Sequence, residues 1–253
     1  MSNTAYNKES VISIVEYASL LINKSLAEAV ILPPDIVNKK NKGSLGLLTE
    51  KYYFEINPPN NHAPDFPDAL TSTTDFSGHN FCKGLELKTT GVTIEPNGIY
   101  KAKERLVLTM IDYEAIVDET WDNSAFMKKC RLMLILFYLY EKETEVINRK
   151  FVLTPILYEL EIPGEDRAQI EKDWKHIQKM VRDGKAHELS EGSTSYLRAC
   201  RKGAGMRHGE KQVKQPRSAD MAKSRAFSFK PSYITSLIAK HNSSSVDNVV
   251  EEN

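Results

Sequence analysis

Apolar positions recur at helical spacing over 10–26: Val11, Ile14, Val15, Ala18, Leu21 and Ile22 form one stripe behind Ser10, a natural N-cap. Pro33 and Pro34 stop this helix, and 45–54 resumes as a second one carrying Glu50. Prolines 58, 59, 64 and 67 make 58–67 a loop that fixes chain direction and cannot be a central strand. Short apolar runs come next. Strands are predicted over 85–90, over 105–111 (buried on both faces), over 151–160 (an edge or a break at Pro155), over 196–206 and over 226–229. The run 134–140 reads equally as a strand or a buried helix. A helix over 165–183 has Ile170, Trp174, Ile177 and Val181 on one stripe and Gly184 as its C-cap. Another covers 232–241. The stretch 206–218 reads as a loop, and 242–253 as a disordered polar tail or a linker. Strands framed by helices make an α/β domain with a mixed sheet.

Within the 85–90 strand, Gly84-Leu85-Glu86-Leu87-Lys88-Thr89-Thr90 places Glu86 and Lys88 on one face and Leu85 and Leu87 on the other, because side chains alternate along a strand. An Asp arriving from an earlier turn would complete a carboxylate pair beside an ammonium. Asp65 is preferred, standing between Pro64 and Phe66 in a rigid turn; Asp68 and Asp75 compete for the role. By itself Glu-x-Lys is a weak signal, since on most strands it is a solvated face.

The composition is that of a globular protein: 253 residues, 41% hydrophobic and 27% charged. The thiols Cys82, Cys130 and Cys200 are far apart and odd in number, with no zinc spacing, which suits reduced cysteines in a cytoplasm. The formal net charge is zero, which disfavours a general polyanion binder. The distribution changes that picture. Over 191–240 there are eleven Lys or Arg against three acids, a surplus of eight, so the rest of the chain is acidic by the same amount. A basic block on an acidic body fits a phosphate-bearing partner; a solvated basic loop is the plainer alternative.

A carboxylate pair suits phosphodiester hydrolysis. The reaction needs an activated water, neutralisation of charge on the phosphate and help for the leaving oxygen, all of which Mg2+ supplies. Asp65 and Glu86 are the candidate Mg2+ ligands, helped by the Leu87 carbonyl, because this ion prefers hard oxygen donors. Lys88 would orient or deprotonate the attacking water. Trp174 reads as core, and His62, His79 and His208 as solvated loop residues.

In sequence order, the chain resembles the family of the mismatch-repair endonuclease MutH and the GATC-cleaving Sau-type restriction endonucleases, within the PD-(D/E)xK nucleases. The resemblance rests on Lys42-Gly43-Ser44-Leu45-Gly46-Leu47-Leu48-Thr49-Glu50, on Pro64-Asp65-Phe66 with Gly84-Leu85-Glu86-Leu87-Lys88-Thr89, and on Ser124-Ala125-Phe126-Met127-Lys128-Lys129. It continues through Asp173-Trp174, 196–204 and 225–230. It implies a restriction-endonuclease-like fold over 1–241, two lobes around a DNA cleft with the basic part at 191–241. Glu50 and Lys129 would join the catalytic set of Asp65, Glu86 and Lys88, and Lys42, Arg201, Lys202, Ser228 and Lys230 would contact DNA. Where MutH has a methylation-sensing tyrosine this chain has Ser228, and 196–204 is closer to the restriction enzymes. The implied activity is Mg2+-dependent cutting of double-stranded DNA at GATC in a bacterial cytoplasm, leaving 5′-phosphates. A cognate DNA methyltransferase would be the functional partner, and a second MutH-like domain could follow residue 253. The alternatives are a repair enzyme that nicks one strand and a non-catalytic DNA-binding module, the latter disfavoured by the presence of both Glu86 and Lys88.

Overall fold

In a computed structural model, residues 6–34, 36, 44–56, 63–71, 83–160, 162–201 and 211–250 are described, with backbone only for 44 and 244–250. Ser10 caps α1 (Val11–Ser19), its hydroxyl accepting from the Ser13 N–H at 3.3 Å. The helix ends sooner than its apolar stripe predicts. The chain turns at Asn23, whose φ is 64°, and restarts as the single turn α2 (Leu26–Ala29), held by a Ser25–Glu28 capping box. The expected 45–54 helix is α3 (Ser44–Leu48) followed by a π-helical turn, Thr49–Tyr53, that carries Glu50.

The central sheet is mixed. Strand β2 (Lys83–Ile94) pairs antiparallel with β1 (Phe66–Leu70) and β3 (Tyr100–Ala102), and parallel with β5 (Leu132–Leu139); β6 (Ile156–Glu159) closes the far edge. The apolar run at 134–140 is therefore strand. Its alternate residues enter two different cores: Leu132, Leu134, Leu136 and Tyr138 one, Met133, Ile135 and Phe137 the other. A strand buried on both faces carries no polar alternation, which is why its periodicity is uninformative. Pro67 lies in the edge strand β1, and Pro155 immediately precedes the edge strand β6, where a missing N–H is tolerated.

A second sheet holds β4 (Leu106–Met110), β10 (Arg225–Phe229) and β7 (Leu197–Arg201), with β10 in the middle. The 105–111 segment is thus an edge strand, not one buried on both faces: Leu106 and Leu108 are buried while Val107 and Thr109, on the other face, are half-buried. One core packs this sheet, α4 (Ala125–Cys130), α5 (Glu165–Arg182) and α6 (Pro231–Val250) against the central sheet; the other packs the N-terminal helices on its opposite face. Trp174 sits in the first core at 1% exposure. Gly184 follows α5 with φ of 72°, and a Cβ there would come within 2.6 Å of the Arg217 carbonyl oxygen.

Two loop expectations change. Within 206–218, Gln212–Val213 form β8, which pairs with β9 (Ala222–Lys223). And α6 does not stop near His241 but runs to Val250, through what reads as a disordered tail. An established helix extends at one hydrogen bond per residue without a new nucleation step, so weak formers such as Asn242 and Ser243 can continue it. Among the described residues no helix is long and apolar enough to cross a membrane.

Candidate active site

The parallel register of β2 with β5 sets Glu86 beside Met133, Leu87 beside Leu134 and Lys88 beside Ile135. Partners in a ladder share a face. Glu86 and Lys88 therefore lie on the side of the larger core, and Leu85 and Leu87 anchor the opposite core, as the alternation predicts. Asp65 reaches them from β1. Phe66 is paired with Leu85, so the antiparallel ladder carries the preceding residue to the level of Glu86 and Leu87. There the Leu87 N–H donates to Asp65 Oδ2 at 2.9 Å. Asp68 points elsewhere, into a surface ion pair with Lys83 at 2.9 Å in which both side chains are more than 60% exposed. Asp75 lies outside the described residues.

Gly84 makes this approach possible. Its φ is 93°, and a Cβ on it would fall 2.7 Å from Cγ of Pro64. A glycine is needed there both for the left-handed backbone and for the contact that seats the Pro64-Asp65 turn against β2.

Lys129 enters from α4. Ser124 caps that helix, accepting from the Met127 N–H at 3.0 Å and donating to the Trp121 carbonyl at 2.7 Å. This fixes the start of the helix, and Lys129 in its last turn has Nζ 3.5 Å from Glu86 Oε1. Lys88 Nζ donates to the same oxygen. Glu50 comes from the π-helical turn. That turn is held by Thr49, whose hydroxyl donates to the Leu45 carbonyl at 2.7 Å, and by Tyr53, whose hydroxyl donates to the Tyr17 carbonyl at 2.7 Å. A π turn is uncommon and concentrates at functional sites, because it re-aims a side chain without ending the helix.

The electrostatics reflect burial. Glu86 is 1% exposed. Desolvation lifts its carboxyl above the ordinary range and the Asp65 charge adds to this, while Lys88 and Lys129 pull it back. Burial works against the Lys88 ammonium, but Glu86, with smaller contributions from Cys130 and Asp65, outweighs it, and its pKa ends above the usual lysine value. Glu50 is pushed up to about 7 by burial, then by Asp65 and Glu86, against the two lysines. The adjacent Cys130 thiol is raised by burial to about 12 and stays neutral.

The fit to a metal can be tested on Glu86. Its Oε1 is held by two lysines, while Oε2 is buried without any hydrogen-bond partner. An orphaned carboxylate oxygen is costly unless something else satisfies it. Among the described residues no three His, Cys, Asp or Glu side chains converge into a ready cage. Mg2+ does not need one, since it binds through one or two carboxylates and fills its shell with water and substrate phosphate. Asp65 and Glu86 fit that pattern.

The structure thus brings Asp65, Glu86, Lys88, Glu50 and Lys129 together, and it separates the residues expected to contact DNA. Arg201 is exposed at the end of β7. Ser228 corrects its expectation: it sits in the middle strand of the second sheet, opposite Val107 and Arg198, fully buried and with no partner for its hydroxyl. A side chain enclosed between two strands offers no surface to a ligand. Lys230 is half-buried and its ammonium donates to the Thr194 carbonyl, which ties it to the turn before β7. Lys42 and Lys202 lie outside the described residues.

Sequence reasoning missed a supporting residue. Asp173, 4% exposed on α5, accepts from the backbone N–H groups of Ser195, Tyr196 and Leu197 at 2.6–3.1 Å and so pins the start of β7. Asp173 is one of many charged residues in the α5 sequence, and its place next to Trp174 of the buried stripe is the one available signal.

The MutH family model, described as DNA mismatch repair enzyme MutH, matches residues 54–173, a span that contains Asp65, Glu86, Lys88 and Lys129. The type II restriction enzyme Sau3AI of Staphylococcus aureus is 36% identical over 216 residues, covering 85% of this chain and 40% of that protein. The DNA mismatch repair protein MutH of Shewanella sp. (strain W3-18-1) is 24% identical over 239 residues, covering 92% of this chain and 96% of that protein. The MutH of Shewanella sp. (strain ANA-3) is 25% identical over 232 residues, covering 90% and 93%. The chain therefore spans about two fifths of Sau3AI and nearly the whole of the MutH proteins. With its mixed sheet and the matched block around β2, the chain is similar to both the MutH proteins and the Sau-type restriction enzyme, and its fold is restriction-endonuclease-like.

Proposed function

We propose that this protein is a Mg2+-dependent endonuclease that hydrolyses double-stranded DNA as a type II restriction enzyme, cutting at GATC and leaving 5′-phosphates. The observation that carries the chemistry is Glu86: a buried carboxylate with one oxygen held by two lysines and the other unpartnered. The GATC site comes from the family resemblance.

Asp65 and Glu86 would hold the ion, assisted by the Leu87 carbonyl. Bound there, Mg2+ would supply charge neutralisation at the phosphate and help activate the attacking water. The chain's own groups do the rest. In the metal-free protein Glu86 raises the pKa of Lys88. Lys88 would orient or deprotonate the attacking water and offset phosphate charge. Lys129 shares that charge and keeps the Glu86 carboxylate oriented. Glu50 ionises near 7, which suits it to accept the proton that leaves the site.

Incubation with Mg2+ and unmethylated supercoiled plasmid should give linear product that EDTA abolishes. GATC-methylated plasmid reports whether methylation protects. Equal cutting of a plasmid stripped of GATC would defeat the site assignment, and no cutting of any plasmid would defeat the chemistry. A second reading, a repair-type nicking enzyme, is supported by near end-to-end coverage of the MutH relatives; nicked circles that persist would select it. The restriction reading brings with it a cognate DNA methyltransferase that shields host sites, and a second MutH-like domain would be the counterpart of the length difference from Sau3AI.

A further inference from the structure

Away from the Glu86 site, one end of the second sheet brings Arg105, Arg198, Arg201 and Arg225 close to Glu191. Arg201 on β7 and Arg225 on β10 are direct partners in the ladder. Both line a cavity of about 370 Å³ together with Leu189, Ser190 and Glu191. Like charges directly opposite one another in a sheet are destabilising, so an anion in the cavity would be favoured. Among the described residues Glu191 is the carboxylate lining it. Its carboxylate lies 3.5 Å from Arg105 Nη1 and 3.4 Å from Arg198 Nη1, and accepts from the Arg201 N–H at 3.3 Å.

The match is poor. Charge-assisted hydrogen bonds between guanidinium and carboxylate close to about 2.7–2.9 Å and are commonly bidentate. Both guanidinium contacts of Glu191 are longer, each is a single contact, and its third partner is the backbone N–H of Arg201. Arg225 is 5% exposed; its Nη1 donates to the Ala199 carbonyl at 3.2 Å, but its Nε is buried with no partner. Arg198 Nε is also buried without one. Two buried guanidinium donors, Arg198 Nε and Arg225 Nε, are thus left over beside a carboxylate already shared by Arg105 and Arg198. A phosphate offers more oxygens and a tetrahedral spread that a planar carboxylate lacks.

We infer that this cavity is a binding site for a phosphate group of the DNA backbone, and that Glu191 is an internal stand-in which the phosphate displaces. The inference rests on the endonuclease reading for the source of the phosphate. It goes beyond that reading in naming a guarded anion site, with a carboxylate that weakens DNA binding until it moves aside. Displacement gives selectivity, because a nonspecific contact too weak to move Glu191 gains nothing from the arginines.

The sign of one substitution tests this. Glu191→Gln keeps the shape and the bond from the Arg201 N–H but removes the competing charge. It should tighten binding of a GATC duplex, read by fluorescence anisotropy in EDTA, on the order of five-fold, the scale of one exposed ion pair. Arg105→Gln should weaken it and reduce the slope of log K against log salt by about 0.9, one phosphate contact. Near-UV circular dichroism of both variants shows whether the fold is kept. If Glu191 were only a strut for its turn, Glu191→Gln would bind DNA equally or more weakly, and the inference would be overturned. Inorganic phosphate, titrated against chloride at equal ionic strength and followed by thermal shift, is the second arm. A gain for Glu191→Gln with inorganic phosphate but not with duplex would assign the site to a free phosphate. A wild type that cuts GATC plasmid while Glu191→Gln gains with neither ligand overturns this inference alone. A wild type that neither binds nor cuts duplex overturns the endonuclease reading with it.

Discussion

The N–H of Leu87 donates to the carboxylate of Asp65 at 2.9 Å, across a separation of 22 positions in the chain. The bond links the β1 turn to the residue between Glu86 and Lys88. It places both candidate metal-holding carboxylates at one level of one sheet, however long the connection between the strands.

Asp65 and Asp68 should therefore behave oppositely. Asp65→Asn is expected to remove plasmid cleavage while leaving a folded protein. Asp68→Asn, which breaks only a solvated pair with Lys83, should retain it and change stability by less than about 1 kcal/mol. Cleavage assays and urea melts on the two variants decide it, and equal activity for both would remove Asp65 from the site.

Gly84→Ala should be costly although it adds a single methyl group. The positive φ of 93° disfavours any Cβ, and the new carbon would press on Pro64. A loss of about 1–3 kcal/mol in unfolding free energy is expected, accompanied by a fall in activity as the Asp65 turn is pushed off β2. Wild-type stability with wild-type cleavage would show that the Pro64 contact is not needed.

Lys88→Ala is expected to slow cleavage by about 10²–10⁴-fold, the range for a positioned proton-handling group, with the protein still folded. Glu86 can stay buried by taking up a proton, since its pKa is already raised. Mg2+ should raise the melting temperature of the wild type by mass action, EDTA should reverse this, and Glu86→Gln should abolish the shift. An undiminished shift in Glu86→Gln would place the ion elsewhere.

Glu50 gives a pH signature. Its folded pKa of about 7 lies above the ordinary 4.5. The stability tied to its protonated form is thus fully present below pH 4.5 and is lost as pH rises through 7. In metal-free protein, Glu50→Gln should match the wild type near pH 4.5 and exceed it at pH 8, on the order of 2 kcal/mol. Denaturant melts at the two pH values check this, and equal curves at pH 8 would show that Glu50 carries no buried charge.

The sequence by itself determined the features that local rules dictate. Alternation on β2 put Glu86 and Lys88 on one face. The stripe of Ile170, Trp174, Ile177 and Val181 and the glycine after it gave α5 and its end. The resemblance, not any local period, implied Glu50 and Lys129 beside Glu86 and Lys88. The strand and helix readings depend on residues a few positions apart, which fixed backbone periods translate directly into direction. Only the tertiary structure decided the pairings. It chose Asp65 over Asp68 through the β1–β2 register, because a ladder measures distance across strands and not along the chain. It made 132–139 a strand between two cores, buried Ser228 by setting β10 between β4 and β7, and set Arg201 against Arg225. Which element becomes the middle of a sheet depends on contacts between segments far apart in sequence, and no local period encodes them.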